Sequence, residues 1–145
     1  MATTVFDTAG DVMLIDDDVT PQGPAPSSDG DLTSFDISLQ DGILEICIVR
    51  TISSAAFSSA AIFIFGEIEA GWQLHDGSLT TWITRLGAPI PGATITADPL
   101  GRRICIRIPW DDPDADLPNL LNGWSVQSFH LQNDDGSMRS YDQYP

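Results

Sequence analysis

Residues 31–50, DLTSFDISLQDGILEICIVR, leave this chain the fewest choices of fold. Phe35, Ile37 and Leu39 alternate with Ser34, Asp36 and Ser38. A period of two turns one face of an extended strand inward and leaves the other wet. Gln40-Asp41-Gly42 breaks the pattern with residues that tolerate the positive φ of a tight reversal. Leu44, Ile46 and Ile48 then alternate with Glu45, Cys47 and Val49. A lone hairpin is marginal in water, so its apolar face has to meet a second sheet.

The rest of the chain supplies candidates for that sheet. Residues 60–68 (AAIFIFGEI) are apolar on both faces, as in a central strand. Residues 71–86 read as a second hairpin turning at His75-Asp76-Gly77-Ser78. In residues 103–110 (RICIRIPW), Ile104, Ile106 and Ile108 share one face, Cys105 and Arg107 the other, and Pro109 marks an end or an edge. Residues 93–97, 124–131 and 137–141 add short strands, and residues 2–15 hold two apolar patches. Residues 16–30, rich in Pro, Gly, Ser and Asp, form a long acidic loop, and residues 87–92 another loop. Residues 111–123 form a second acidic loop with one helical turn at 117–121. No amphipathic helix stands out. The expectation is an all-β chain: one antiparallel two-sheet β-sandwich over residues 1–145, with eight to ten strands.

Charge narrows the function classes. The 145 residues carry 21 acidic groups against six Arg and no Lys, for a net charge of −15. A phosphate backbone needs a basic patch, so no nucleic-acid partner is expected. No apolar run approaches the ~20 residues needed to span a bilayer, so no membrane insertion is expected, and no signal peptide is visible. All but three of the acids are Asp, a turn residue and a hard-cation ligand. Such acidity serves solubility in any case. Without a G-x-S-x-G motif, a Ser or Cys paired with His at motif spacing, or a phosphate loop, the chain is not expected to be an enzyme.

The order of several short motifs resembles a known superfamily. Asp7-Thr8-Ala9-Gly10-Asp11 resembles a D-P-x-G-D opening, with Thr8 where Pro is usual. It precedes an acidic loop, Asp31-Leu32-Thr33-Ser34-Phe35-Asp36-Ile37-Ser38 and the Asp41-Gly42 turn. Later come Ile104-Cys105-Ile106-Arg107-Ile108-Pro109-Trp110 and the ending Tyr141-Asp142-Gln143-Tyr144-Pro145. The arrangement is similar to the jelly-roll β-sandwiches of family 9 carbohydrate-binding modules, DOMON domains and the C-terminal module of glucodextranase. The resemblance implies a jelly-roll-like sandwich, an extracellular or cell-surface setting, structural Ca²⁺, and a role as an accessory module with carbohydrate as ligand. The alternative is a structural or assembly protein of a surface, filament or virion, whose sandwich contacts other proteins.

Four groups of residues carry the site expectations. Asp7 and Asp11 are candidate Ca²⁺ ligands, joined by Asp31 and Asp142 because the resembled fold brings the termini close to the hairpin start. The other reading of residues 7–11 is a turn whose carboxylates cap backbone N–H groups. Asp112, Asp114 and Asp116 have the D-x-D-x-D spacing of an EF-hand start but lack its Gly and final Glu, so they are a cruder acidic candidate. Trp72 and Trp82, flanking the 75–78 turn, are candidate stacking surfaces for sugar, with core packing the default for any Trp. Cys47 and Cys105 are both mid-strand. They are either a disulfide, placing Arg103 or Arg107 near Glu45, or two small buried apolar groups.

Overall fold

The computed structural model describes residues 2–7, 10–15, 21–25, 28–53, 55–110, 123–132 and 139–145. It is all-β, with two antiparallel sheets that do not close into a barrel. The sandwich expected from the alternating pattern is the observed architecture.

One sheet has five strands: β1 (Ala2–Phe6), β4 (Asp31–Gln40), β5 (Ile43–Thr51), β11 (Arg103–Pro109) and β10 (Thr94–Ala97), in that spatial order. The other runs β3 (Pro21–Pro24), β2 (Met13–Ile15), β13 (Arg139–Tyr144), β12 (Trp124–Leu131), β6 (Ser58–Phe65), β7 (Ile68–His75), β8 (Ser78–Arg85) and β9 (Ala88–Pro89). The 31–50 hairpin turns at Asp41 (φ 53°) and Gly42 (φ 73°), and the second hairpin at Asp76 (φ 47°) and Gly77 (φ 80°). Both have the φ signs of a type I′ turn, whose twist matches that of the flanking strands.

The core lies between the sheets. Phe35, Ile37, Ile46, Ile48, Ile104, Ile106 and Ile108 come from the five-stranded sheet. Phe63, Ala70, Trp72, Trp124 and Val126 meet them from the other. Trp124 packs edge-on to Phe35, with ring centroids 5.0 Å apart. An aromatic pair in that geometry adds about 0.5–1.5 kcal/mol beyond the area it buries.

Three local expectations are corrected. Residues 60–68 are not one strand: the chain reverses at Gly66 and Glu67, so Ile68 opens β7 and pairs back to Phe65. The apolar run hid this turn because a buried strand and its successor have the same composition. Two predicted loops contain short edge strands, β3 and β9. The strict alternation of β4 is interrupted between Leu32 and Ser34 by a bulge. An extra residue resets the face on which side chains fall, so Leu32 and Phe35, three apart, are both fully buried.

Candidate metal centre and binding face

The chain passes from the five-stranded sheet to the eight-stranded one between Phe6 and Met13, and a group of carboxylates gathers at this crossing. Asp7 follows the end of β1, its N–H bonded to Thr33 O at 3.0 Å. Gly10, at φ 80°, directs its N–H to Asp31 Oδ2 at 2.9 Å. Asp142, on β13, accepts the Leu32 N–H at 2.8 Å and the Gln143 N–H at 2.8 Å. The first of these bonds takes up the donor of the residue where the bulge shifts the register.

One carboxylate oxygen from each of Asp7, Asp11 and Asp142 lies within 4.8 Å of the others. Asp31 lies among them and interacts with both Asp11 and Asp142. It is 3% exposed, and its Oδ1 has no hydrogen-bond partner. A buried carboxylate oxygen without a donor costs about 1–3 kcal/mol or more. Two charges this close repel by roughly 3–4 kcal/mol at an effective dielectric of 20. Burial, with the charges of Asp11 and Asp7 adding to it, pushes the Asp142 carboxyl up to about 7 against the two N–H bonds that favour its ionised form. Burial likewise raises Asp31. The donor set is all oxygen, with no His or Cys, which suits hard cations of the Mg²⁺, Ca²⁺ and Mn²⁺ type. Three of the four expected residues, Asp7, Asp11 and Asp142, form this close group, and Asp31 interacts with two of them. Asp112, Asp114 and Asp116 lie outside the described residues.

The two Trp candidates part company. Trp72 is 3% exposed and faces the core, so it offers no surface to a ligand and is withdrawn as a binding residue. Its position across the sheet from Gly71's side follows from parity: it is in phase with Ile68 and Ala70, both buried. Trp82 is out of phase with core-packed Ile83 and stands on the outer face of the eight-stranded sheet, opposite Gly71. A Cβ added at Gly71 would meet the six-membered ring of Trp82 at less than normal contact, so the indole covers that glycine. Its Nε1 donates to Glu69 Oε2 at 2.9 Å. The result is a half-buried indole pinned against the sheet. Cross-strand registers continue the row from Gly71 to Ile62, Gln127 and Gln143. Beside it an open cleft of about 310 Å³ is bounded by Trp82, Thr84, Pro89, Ile90 and Ile95. Neither Gly71 nor Glu69 stood out in the sequence; a Gly directly opposite a Trp becomes visible only once the register is known.

Cys47 and Cys105 face each other on β5 and β11, Cα atoms 4.0 Å apart, and are joined as a disulfide. Arg107 lies 3.5 Å from Glu45 as expected, while Arg103 pairs with Asp36 at 2.7 Å.

A further polar group lies between the sheets. Arg50 continues the inward phase of Ile46 and Ile48 and is 3% exposed. Its guanidinium donates to Gly101 O (2.7 Å), Ser59 Oγ (2.7 Å), Ala60 O (3.0 Å) and Ser128 Oγ (3.2 Å), and packs 5.4 Å from the centroid of Trp72. Burial pulls its pKa down to about 10, so it remains charged at neutral pH. His130 Nδ1 lies 3.4 Å from Ser59 Oγ, and Nε2 lies 3.7 Å from Asp29 Oδ2. Burial lowers the His130 pKa, with Arg50 adding to the effect and Asp29 opposing it. Ser59, His130 and Asp29 are residue types of a hydrolytic triad, but Ser59 is 1% exposed and its hydroxyl is held by Arg50. This group braces the two sheets.

Comparison with protein-family models, curated proteins and solved structures finds no match for this chain.

Proposed function

We propose that this chain is a non-catalytic binding module, stabilised by Ca²⁺ at Asp7, Asp11, Asp31 and Asp142, that takes carbohydrate on the outer sheet face at Trp82. Its setting in this reading is extracellular or cell-surface, where the disulfide persists. The observation that carries the reading is the approach of Asp7, Asp11 and Asp142, with one oxygen of each within 4.8 Å of the others, beside a buried Asp31 whose Oδ1 has no hydrogen-bond partner. A divalent ion supplies the missing partner and cancels the repulsion. Ca²⁺ is favoured over Mg²⁺ because it accepts irregular, carboxylate-rich shells, whereas Mg²⁺ demands near-ideal octahedra.

Calorimetric titration with CaCl₂ is expected to give saturable heat, and thermal unfolding should shift upward. At a free Ca²⁺ concentration 100 times Kd, the gain is about 2.7 kcal/mol. Asp11→Asn separates this reading from a plain turn. It should abolish the Ca²⁺ response yet raise the Tm of the metal-free protein, because one repelling charge is gone. Loss of stability without Ca²⁺, together with no heat in the parent protein, refutes the site.

The pH dependence has a defined sign. In the metal-free protein Asp142 holds a proton up to about pH 7 that the unfolded chain releases near pH 4, so this group's contribution to stability falls as pH rises through that window. Ca²⁺ reverses the sense, since it binds the ionised carboxylate. Its apparent affinity should weaken as pH drops from 8 to 6, with proton uptake by the protein on release. Titrations in buffers of different ionisation enthalpy measure that proton.

The carbohydrate part of the reading rests on Trp82, one face against Gly71 and the indole N–H committed to Glu69. An aromatic ring fixed in this way stacks on an apolar sugar face with little entropy left to lose. On an oligosaccharide array, binding is expected, and Trp82→Ala should weaken it about tenfold or more, as for an aromatic anchor. Gly71→Ala should do the same with the indole retained, by pushing the ring off the sheet. Unchanged binding in both variants would place the ligand elsewhere.

A further inference from the structure

We infer that β1 is a self-association edge, pairing antiparallel with β1 of a second copy of this chain about a two-fold axis at Thr4. The inference is independent of the carbohydrate reading. Among the described residues the two sheets have four edges: β1, β10, β3 and β9. Three of them are blunted. β3 begins and ends in Pro, β9 is two residues long and contains Pro89, and β10 is only four residues long. Short strands, prolines and covering segments are how sheets discourage edge pairing. β1, ATTVF, has none of these devices. It has no charge either, in a chain of net charge −15. Four of its five residues are exposed, and Phe6 is 75% exposed.

The hydrogen-bond phase favours an occupant of the same sequence. Asp7 N donates to Thr33 O, and β1 continues that register with Phe6 opposite Ser34 and Val5 opposite Phe35. In an antiparallel ladder every second residue exchanges bonds with a given neighbour. Asp7, Val5 and Thr3 therefore bond β4, and the N–H and C=O groups of Phe6, Thr4 and Ala2 point out of the sheet edge. A two-fold axis at Thr4 sets Thr4 against Thr4, and Ala2 against Phe6 of the second copy. Every outward donor then meets an outward acceptor, and each large Phe6 faces a small Ala2 on the same sheet face. Val5 and Thr3 pair on the core side, so the five-stranded sheets become one continuous sheet across the dimer.

Net charge opposes the association, and the edge bonds drive it, so the dimer should strengthen with salt. Sedimentation equilibrium of the whole protein over a wide concentration range is expected to show monomer–dimer exchange, stronger at 1 M than at 0.05 M NaCl. Thr4→Pro removes an outward N–H, together with the Thr4 hydroxyl's bond to Asp36. Thr4→Lys, which leaves the backbone intact, places like charges across the axis and serves if the proline variant fails to fold. Either should weaken dimerisation roughly tenfold or more. A parent protein that stays monomeric throughout, or a dimer indifferent to Thr4→Lys, overturns the inference. A higher-order mass without a dimer does so too, because this symmetry closes at two.

Discussion

Arg50→Ala is expected to cost this protein about 3–5 kcal/mol, read as a lower denaturation midpoint in urea at unchanged slope. The side chain is the common donor for Gly101 O, Ala60 O, Ser59 Oγ and Ser128 Oγ, reaching from its own sheet to β6 and β12 of the other. Truncation leaves buried acceptors without donors and opens a void beside Trp72. Arg50→Lys should recover little, because an ammonium has no planar fork with which to reach acceptors on two strands and on the Gly101 turn. Arg50→Met tests the division of the effect. It refills much of the volume, so what remains lost measures the orphaned acceptors. A cost below about 1 kcal/mol for Arg50→Ala would mean that the carbonyls are hydrated and the charge is not a brace.

Removing the Cys47–Cys105 cross-link should be of similar size. The bridged residues are 58 apart in sequence. Closing a loop of that length restricts the unfolded chain by about 4 kcal/mol in the chain-entropy description. The double variant Cys47→Ala/Cys105→Ala should lose most of that, seen as a fall in Tm, while the fold survives because Ile46, Ile48, Ile104 and Ile106 on the reverse face keep their contacts. Titration of the unreduced, unfolded parent with a thiol reagent should find no free thiol. Two free thiols would show that the pair merely packs. Cys47 is 2% exposed, so reduction of the folded protein should require local opening of β5 and β11.

Much of the fold was legible along the chain. The β4–β5 hairpin, its Asp41-Gly42 turn and the turn at Asp76-Gly77 follow from alternation and from residues that accept positive φ. Even the inward aim of Arg50 could have been taken from its phase with Ile46 and Ile48. Two features defeated local reading. Composition could not show the reversal at Gly66 and Glu67, because the strands on either side are equally apolar. The bulge between Leu32 and Ser34 changes parity without a compositional mark.

The candidate sites divide in the same way. Trp72 and Trp82 look equivalent in sequence, flanking one turn at similar distances. A shift of one position in a period-two pattern sends one into the core and the other to the outer face. The disulfide was one of two open readings until β5 and β11 were found side by side with Cys47 and Cys105 in register. Alternation and turn chemistry set most of the strands, several turns and the supply of carboxylates, since these depend on residues adjacent in the chain. Which carboxylates meet is a matter of tertiary packing. Leu32 and Asp142 are 110 residues apart, and their bond forms because β4 of one sheet and β13 of the other are laid together near the crossing after β1. Whether a carboxylate there is hydrated and harmless, or buried with Asp31 and in need of a cation, depends on what the other sheet takes away from water.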